Sequence, residues 1–208
     1  MSQSDHKSDN LPRCSWCEGV AEFIPYHDQE WGFPVADDQR LFEKICLESF
    51  QSGLSWRTIL NKRDNFRAAF AQFDFHRVAQ FDQADIARLL GDPGIVRHRG
   101  KIEAVINNAK CAKDLVAETG SLAAFFWEFE VKNSEQYPPQ SRTTTPESVA
   151  LAKALKQRGW KFVGPTTAFA FMQAMGLIND HSLDCHSRAA VAQARAQFTP
   201  PRLANERE

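Results

Sequence analysis

Thiols and imidazoles stand in two groups at opposite ends of this chain of 208 residues. Cys14, Cys17 and His27 lie near the start, and the run Asn179-Asp180-His181-Ser182-Leu183-Asp184-Cys185-His186 lies near the end. Thiolate sulfur and imidazole nitrogen are donors that Zn²⁺ prefers, and a closed structural site takes four of them. His181 and Cys185 are four apart, so a helix there would project both from one face. A single ion gathering both groups would staple the two ends of a domain together. On type and spacing alone Cys14, Cys17, His27, His181, Cys185 and His186 are all eligible. Cysteines that are simply buried are the competing explanation, and ligands from two distant segments weigh less than paired C-x-x-C motifs.

The elements that must position these groups read as helices. Hydrophobic content of 43% with 25% charged residues fits a globular protein of one domain. The 16 Phe and 5 Trp are mostly core filler, with some faces available for a planar ligand. No apolar run approaches the roughly 18–20 residues of a membrane span, and the polar start Met1 to Asn10 is not a signal peptide. Five cysteines, scattered and odd in number, argue against a disulfide framework and place the chain in a reducing cytoplasm. A net charge of −1 does not announce a nucleic-acid partner. Local basic clusters at 57–67, 97–101 and 153–161 are nonetheless enough for a phosphate-binding face.

Asp37-Asp38 caps an expected helix with Leu41, Phe42, Ile45, Cys46 and Ser49 on one face, ending at Gly53. Ser55 starts a short helix with Trp56, and Asp64 another with Phe66 and Phe70. Further helices are expected at 83–90, before Gly91-Asp92-Pro93-Gly94, then at Lys101–Ala117 and Ser121–Phe129. Residues 131–145 read as a surface loop, and Pro146 opens a helix to 157 under a Thr145 cap. Strand signals are weak, so the fold class is all-α: one helical domain over 13–194, with disordered tails at 1–12 and 195–208.

Residues 147–176 have the layout of a helix-hairpin-helix. One helix closes at Gly159, Trp160-Lys161-Phe162-Val163-Gly164 turns, and the next helix starts near Pro165-Thr166. Phe162 and Val163 are expected to bury the hairpin, while Gly164 allows close backbone approach. Free N–H groups at the following helix start suit a phosphate oxygen. Lys161, Val163, Gly164 and Thr166 are therefore candidates for gripping a DNA backbone without reading its sequence. An ordinary αα-hairpin fits the same pattern. Gly94 to Lys101 is a second segment suited to phosphate.

Taken together, the chain resembles the 3-methyladenine DNA glycosylase I family of the helix-hairpin-helix glycosylases. The matching stretches are Tyr26-His27-Asp28-Gln29-Glu30-Trp31-Gly32, Gln51-Ser52-Gly53-Leu54-Ser55-Trp56, Gly94-Ile95-Val96-Arg97-His98-Arg99-Gly100-Lys101-Ile102, Phe162-Val163-Gly164 and Asn179-Asp180-His181. The resemblance implies one structural zinc on Cys14, His27, His181 and Cys185, with Cys17 and His186 as neighbours. It implies a monomeric, monofunctional enzyme that hydrolyses the N-glycosidic bond of 3-methyladenine in alkylated double-stranded DNA and leaves an abasic site. A stacked base must be flipped out to be reached, and an electron-rich ring favours a cationic purine. By resemblance Trp56 and Tyr26 are the stacking walls and Trp16 lines the pocket, while Trp31 packs behind the metal-bearing segment. The same likeness gives Glu48 the catalytic position, accepting from the exocyclic amine and opposing the ring's charge. Leu54 is the wedge that fills the gap left by the base. Asp180 is expected to orient His181 or cap a helix end. Differential binding of the cationic base supplies the selectivity. Phe23 and Ser49 depart from the family pattern, which usually has Tyr and Gly there. A non-catalytic module that binds alkylation damage is the alternative.

Overall fold

The computed structural model describes residues 11–132 and 138–204. Among these residues the only regular elements are helices: α1 (Phe23–Gln29), α2 (Asp38–Gln51), α3 (Trp56–Asn61), α4 (Arg63–Ala69), α5 (Phe75–Val78), α6 (Gln83–Gly91), α7 (Arg99–Thr119), α8 (Leu122–Trp127), α9 (Pro146–Gln157), α10 (Pro165–Ala174) and α11 (Ser187–Gln197), with single 3₁₀ turns at Ser15–Cys17 and Ala71–Phe73. The helix boundaries follow local capping chemistry. Asp37, Ser55 and Ser121 each accept a backbone N–H at the start of α2, α3 and α8. Reciprocal capping pairs open α6 (Asp82 with Asp85) and α9 (Thr145 with Ser148). α6 takes in Gly91 rather than stopping before it.

α2 is the element around which α3, α7, α8 and α10 pack. Every residue from Leu41 to Phe50 is buried, so the expected one-sided stripe is in fact a helix covered all round. Its charged members survive burial by pairing. Glu43 is held by Arg40 (2.8 Å) and Arg67 (2.9 Å), and Lys44 by Glu48 (2.7 Å). The phenylalanines are core filler as expected: Phe42, Phe50, Phe66, Phe70, Phe73, Phe126 and Phe171 are fully buried.

Four local expectations are corrected. Residues 181–186 form an irregular turn, closed by Cys185 N–H on the Ser182 carbonyl, not a helix. Lys101, expected toward phosphate, is buried and donates to the carbonyls of Phe50 (2.9 Å) and Ser52 (2.6 Å). It satisfies carbonyls orphaned at the end of α2 and so fixes the turn that carries Leu54. Phe162 points outward in a left-handed backbone conformation (φ 56°), and Trp160 and Val163 bury the hairpin instead. The boundary expected at 195 falls inside α11, and Phe198 beyond it packs against Trp127 with tilted rings (4.5 Å between centroids). The expected tail at 1–12 lies mostly outside the described residues, as do 205–208 and part of the 131–145 loop. Pro12, however, is tied down by His186 N–H (2.9 Å).

α9 and α10 pack on each other as a helical hairpin, docked on α7 by two asparagines. Asn107 donates to the Gly159 carbonyl (2.8 Å). Buried Asn108 clamps Lys161 from both sides, accepting from its N–H (2.8 Å) and donating to its carbonyl (2.9 Å). Ser49 adds a tether from α2, its hydroxyl within 2.8 Å of the Ile45 carbonyl and 3.0 Å of the Phe162 carbonyl. The departure from glycine at 49 thus fills a place against the hairpin.

Candidate base pocket and metal centre

Cys14, His27, His181 and Cys185 converge in the interior, all buried, with their donor atoms within 4.8 Å of one another. His181 Nδ1 lies 3.5 Å from Cys14 Sγ and 3.3 Å from Cys185 Sγ, and His27 Nε2 lies 3.5 Å from Cys185 Sγ. Tetrahedral bonds of about 2.3 Å to sulfur and about 2.0 Å to nitrogen put neighbouring donors roughly 3.5 Å apart. The four residues therefore fit a tetrahedral metal ion. The other nitrogen of each ring is also engaged, His27 Nδ1 with Asp28 (2.7 Å) and His181 Nε2 with the Trp31 carbonyl (3.0 Å). Such outer contacts fix the tautomer that presents a lone pair to a metal. Asp28 is held in turn by Arg13 (2.7 Å) and His186 (3.1 Å). Burial opposes the charge on Asp28, but Arg13, His27 and His186 hold its carboxyl well below the usual range. Cys17 lies outside the cluster, its thiol donating to the Cys14 carbonyl (3.1 Å).

Without a cation the electrostatics of this cluster are unfavourable to thiolate. Burial pushes the Cys14 thiol up to about 11 and the His181 imidazole down to about 4. A divalent ion reverses the first tendency and uses the second, since it binds neutral imidazole and draws protons off thiols.

Beside this centre lies a cleft of about 580 Å³. Its wall includes Trp16, Phe23, Tyr26, Trp31, Glu48 and Trp56, together with Gln140, Arg142 and Gln173. Trp16 sits between the two sites, 5.4 Å from His27 and 6.2 Å from Tyr26 by ring centroids. Trp31 serves both, lying against His181 (4.6 Å) and lining the cleft. Two members of the cluster thus adjoin wall residues in sequence: Cys14 precedes Trp16 by two positions, and His27 follows Tyr26.

Trp56 and Tyr26 do not bracket a slot. Their rings touch at 5.3 Å with a tilt of 43°, whereas a ring held between two others needs roughly 7 Å, two layers of van der Waals contact. A base would lie on the cleft side of the pair or part the rings. Glu48 is buried at the wall, paired with Lys44. Asp180 does not touch the His181 ring. It accepts from Gln140 N–H (2.9 Å) and from the Gln173 side chain (2.6 Å), and so braces two residues of the cleft wall. Its carboxyl is raised, burial outweighing those two donors. Lys44, Gln140 and Gln173 had not been picked out in the sequence. Only Lys44 carried a signal, its four-residue spacing from Glu48 on an apolar helix face.

Leu54 is 41% exposed at the tip of the turn after α2. In the hairpin, Lys161 and Thr166 are exposed while Val163 is buried, so Val163 can offer only its backbone outward.

A family model described as methyladenine glycosylase matches residues 16–189. The DNA-3-methyladenine glycosylase 1 of Escherichia coli (strain K12) is 47% identical over 180 residues, covering 84% of this chain and 96% of that one. A crystal structure of 3-methyladenine DNA glycosylase I is 48% identical with a TM-score of 0.77, over 84% of this chain and 98% of its own. The Staphylococcus aureus glycosylase I, in a structure on the basis of 3-methyladenine recognition, is 36% identical with a TM-score of 0.78, over 86% and 97%. The family match over residues 16–189, with a relative 47% identical across 84% of this chain, makes this chain a member of the methyladenine glycosylase family.

Proposed function

We propose that the protein hydrolyses the N-glycosidic bond of 3-methyladenine in alkylated double-stranded DNA and leaves an abasic site. The observation that carries this reading is the aromatic cleft with the buried carboxylate of Glu48 in its wall, in a chain of this family. Trp16, Tyr26 and Trp56 supply the faces for the flipped base, and Glu48 accepts from its exocyclic amine. The C–N bond breaks toward a neutral purine, a good leaving group, so differential binding of the methylated base supplies most of the selectivity.

In this reading Leu54 fills the stack after the base leaves it. Lys161, the Val163 backbone, Gly164 and Thr166 hold the phosphates at the start of α10. Gly164 supports this role, because a Cβ there would meet nothing within 4 Å and its φ is not positive. The fold does not require glycine at that position, whereas a close backbone approach from outside would. Gly164→Val should therefore weaken duplex DNA binding about tenfold, the scale of about 1.4 kcal/mol, with an unchanged melting temperature. Titration of labelled DNA alongside thermal unfolding checks both halves.

The Cys14, His27, His181 and Cys185 set would hold zinc. Four protein donors leave no open position for water, so the ion's chemistry is structural. Five free thiols fit a reducing cytoplasm, and among the described residues no helix is long and apolar enough to cross a membrane. We expect a monomer. Incubation with methylated DNA should release free 3-methyladenine and create alkali-labile sites. Binding to damaged DNA without base release would identify a non-catalytic module instead.

A further inference from the structure

Among the described residues Phe162 is the only phenylalanine, tryptophan or tyrosine left exposed, at 42% of its surface. Its backbone also lies where a bulky side chain is disfavoured, in the left-handed region at φ 56°. Glycine would take that conformation without strain. Phe73 has a similar backbone (φ 57°), but its ring is fully buried, and that burial offsets the cost. No such burial rewards Phe162. Its neighbours nevertheless fix it in place. Asn108 clamps Lys161 through both N–H and carbonyl, and the Ser49 hydroxyl donates to the Phe162 carbonyl at 3.0 Å. A strained residue persists only where its surroundings over-determine it, and such residues gather at functional contacts.

The start of α7 adjoins the ring. His98 meets it edge-on at 6.4 Å between centroids, and a Cβ on Gly100 would lie 3.9 Å from the tip of the ring. The next residue, Lys101, donates to the carbonyl of Ser52, two residues before the exposed Leu54. Phe162 and Leu54 are thus mounted on one support. In the chain Phe162 stands between Lys161 and the Gly164–Thr166 helix start, both given to phosphate above. We propose that Phe162 is a second apolar duplex contact: its ring packs on the deoxyribose rings of bent DNA, between the phosphates held at the start of α10 and the gap filled by Leu54. This rests on that face being the DNA-binding face. Sugars are the same in every sequence and carry no charge, so the contact adds affinity without reading bases or releasing counterions. A kinked duplex wraps more protein surface than a straight one, so the contact forms when the DNA bends.

The probes are two duplexes of one length, one with a tetrahydrofuran abasic analogue at its centre and one intact. Phe162→Gly in the full chain should bind the abasic duplex about tenfold more weakly, and the intact one less than about threefold more weakly. The dependence of log affinity on log salt should keep its slope. Lys161→Met should instead lose affinity for both duplexes alike and make that slope shallower by about one. Glycine suits φ 56°, so the melting temperature of Phe162→Gly should not fall. Should it fall, Phe162→Asn decides the matter, since asparagine also tolerates the left-handed region. Phe162→Leu, which keeps an apolar side chain, should retain most of the affinity. Wild-type affinity of Phe162→Gly for the abasic duplex, an equal loss on both duplexes, or a shallower salt slope overturns the proposal. If wild-type protein binds neither duplex, the DNA-binding reading of this face fails and the inference with it. If wild type binds and Phe162→Gly binds as well, only the role given to Phe162 is lost.

Discussion

Glu48→Gln should cut release of 3-methyladenine from methylated DNA by about 10²–10³-fold, the scale of about 3–4 kcal/mol for a truncated buried charge interaction. Glutamine is the informative replacement because of what lies beneath it. It keeps an acceptor near Lys44 Nζ, now 2.7 Å from the carboxylate, and fills the same volume. Alanine would instead strand a buried ammonium, at about 3–5 kcal/mol of stability, and the lost activity would be confounded with unfolding. In the glutamine variant the base loses its carboxylate partner and meets an unbalanced Lys44, so the two effects add. The double variant Lys44→Met with Glu48→Gln should regain part of the loss, because the ammonium is gone. Base release by chromatography, with thermal unfolding of each variant as control, measures this. Undiminished release from Glu48→Gln would remove Glu48 from the reaction.

The helices were legible because their boundaries are written locally. Asp37, Ser55, Ser121 and Thr145 each cap the helix that follows, and a capping oxygen needs only the next few residues. The four donors of the metal-type cluster were legible as types, although the irregular turn at 181–186 brings His181 and Cys185 together without the helix their spacing suggested. What sequence did not yield depends on partners far along the chain. Lys101 looked like a phosphate contact because it sits in a basic run, yet its partners are the carbonyls of Phe50 and Ser52. Phe162 looked like core because it is apolar, yet the left-handed backbone turns it outward and Trp160 takes its place. Asp180 looked like a support for its neighbour His181, and serves Gln140 and Gln173 instead. In each case residue type left several partners open, and only the packing of distant segments chose among them.

Loss of the metal should destabilise the protein and loosen its pocket in one step. If free metal stands about 1,000-fold above its dissociation constant, the bound ion contributes about 4 kcal/mol. For a chain of this size that is a fall of about 8–16 °C in melting temperature on chelation. Cys14→Ser should melt low from the outset and no longer respond to chelator. Cys17→Ser should keep both the metal and the response, since its thiol only reaches the Cys14 carbonyl. Acid should also release the ion, because protons compete for two imidazoles and two thiols, so metal content must fall as pH falls. The pocket follows because Cys14 and His27 adjoin Trp16 and Tyr26 in sequence and Trp16 packs against His27 at 5.4 Å. Chelated protein held below its melting point should therefore bind 3-methyladenine more weakly than protein with metal. Elemental analysis of the wild type and both cysteine variants, read beside their melting curves, tests the whole chain of argument. Metal retained by Cys14→Ser, or none in the wild type, would reduce the cluster to a buried hydrogen-bonded group with no stapling role.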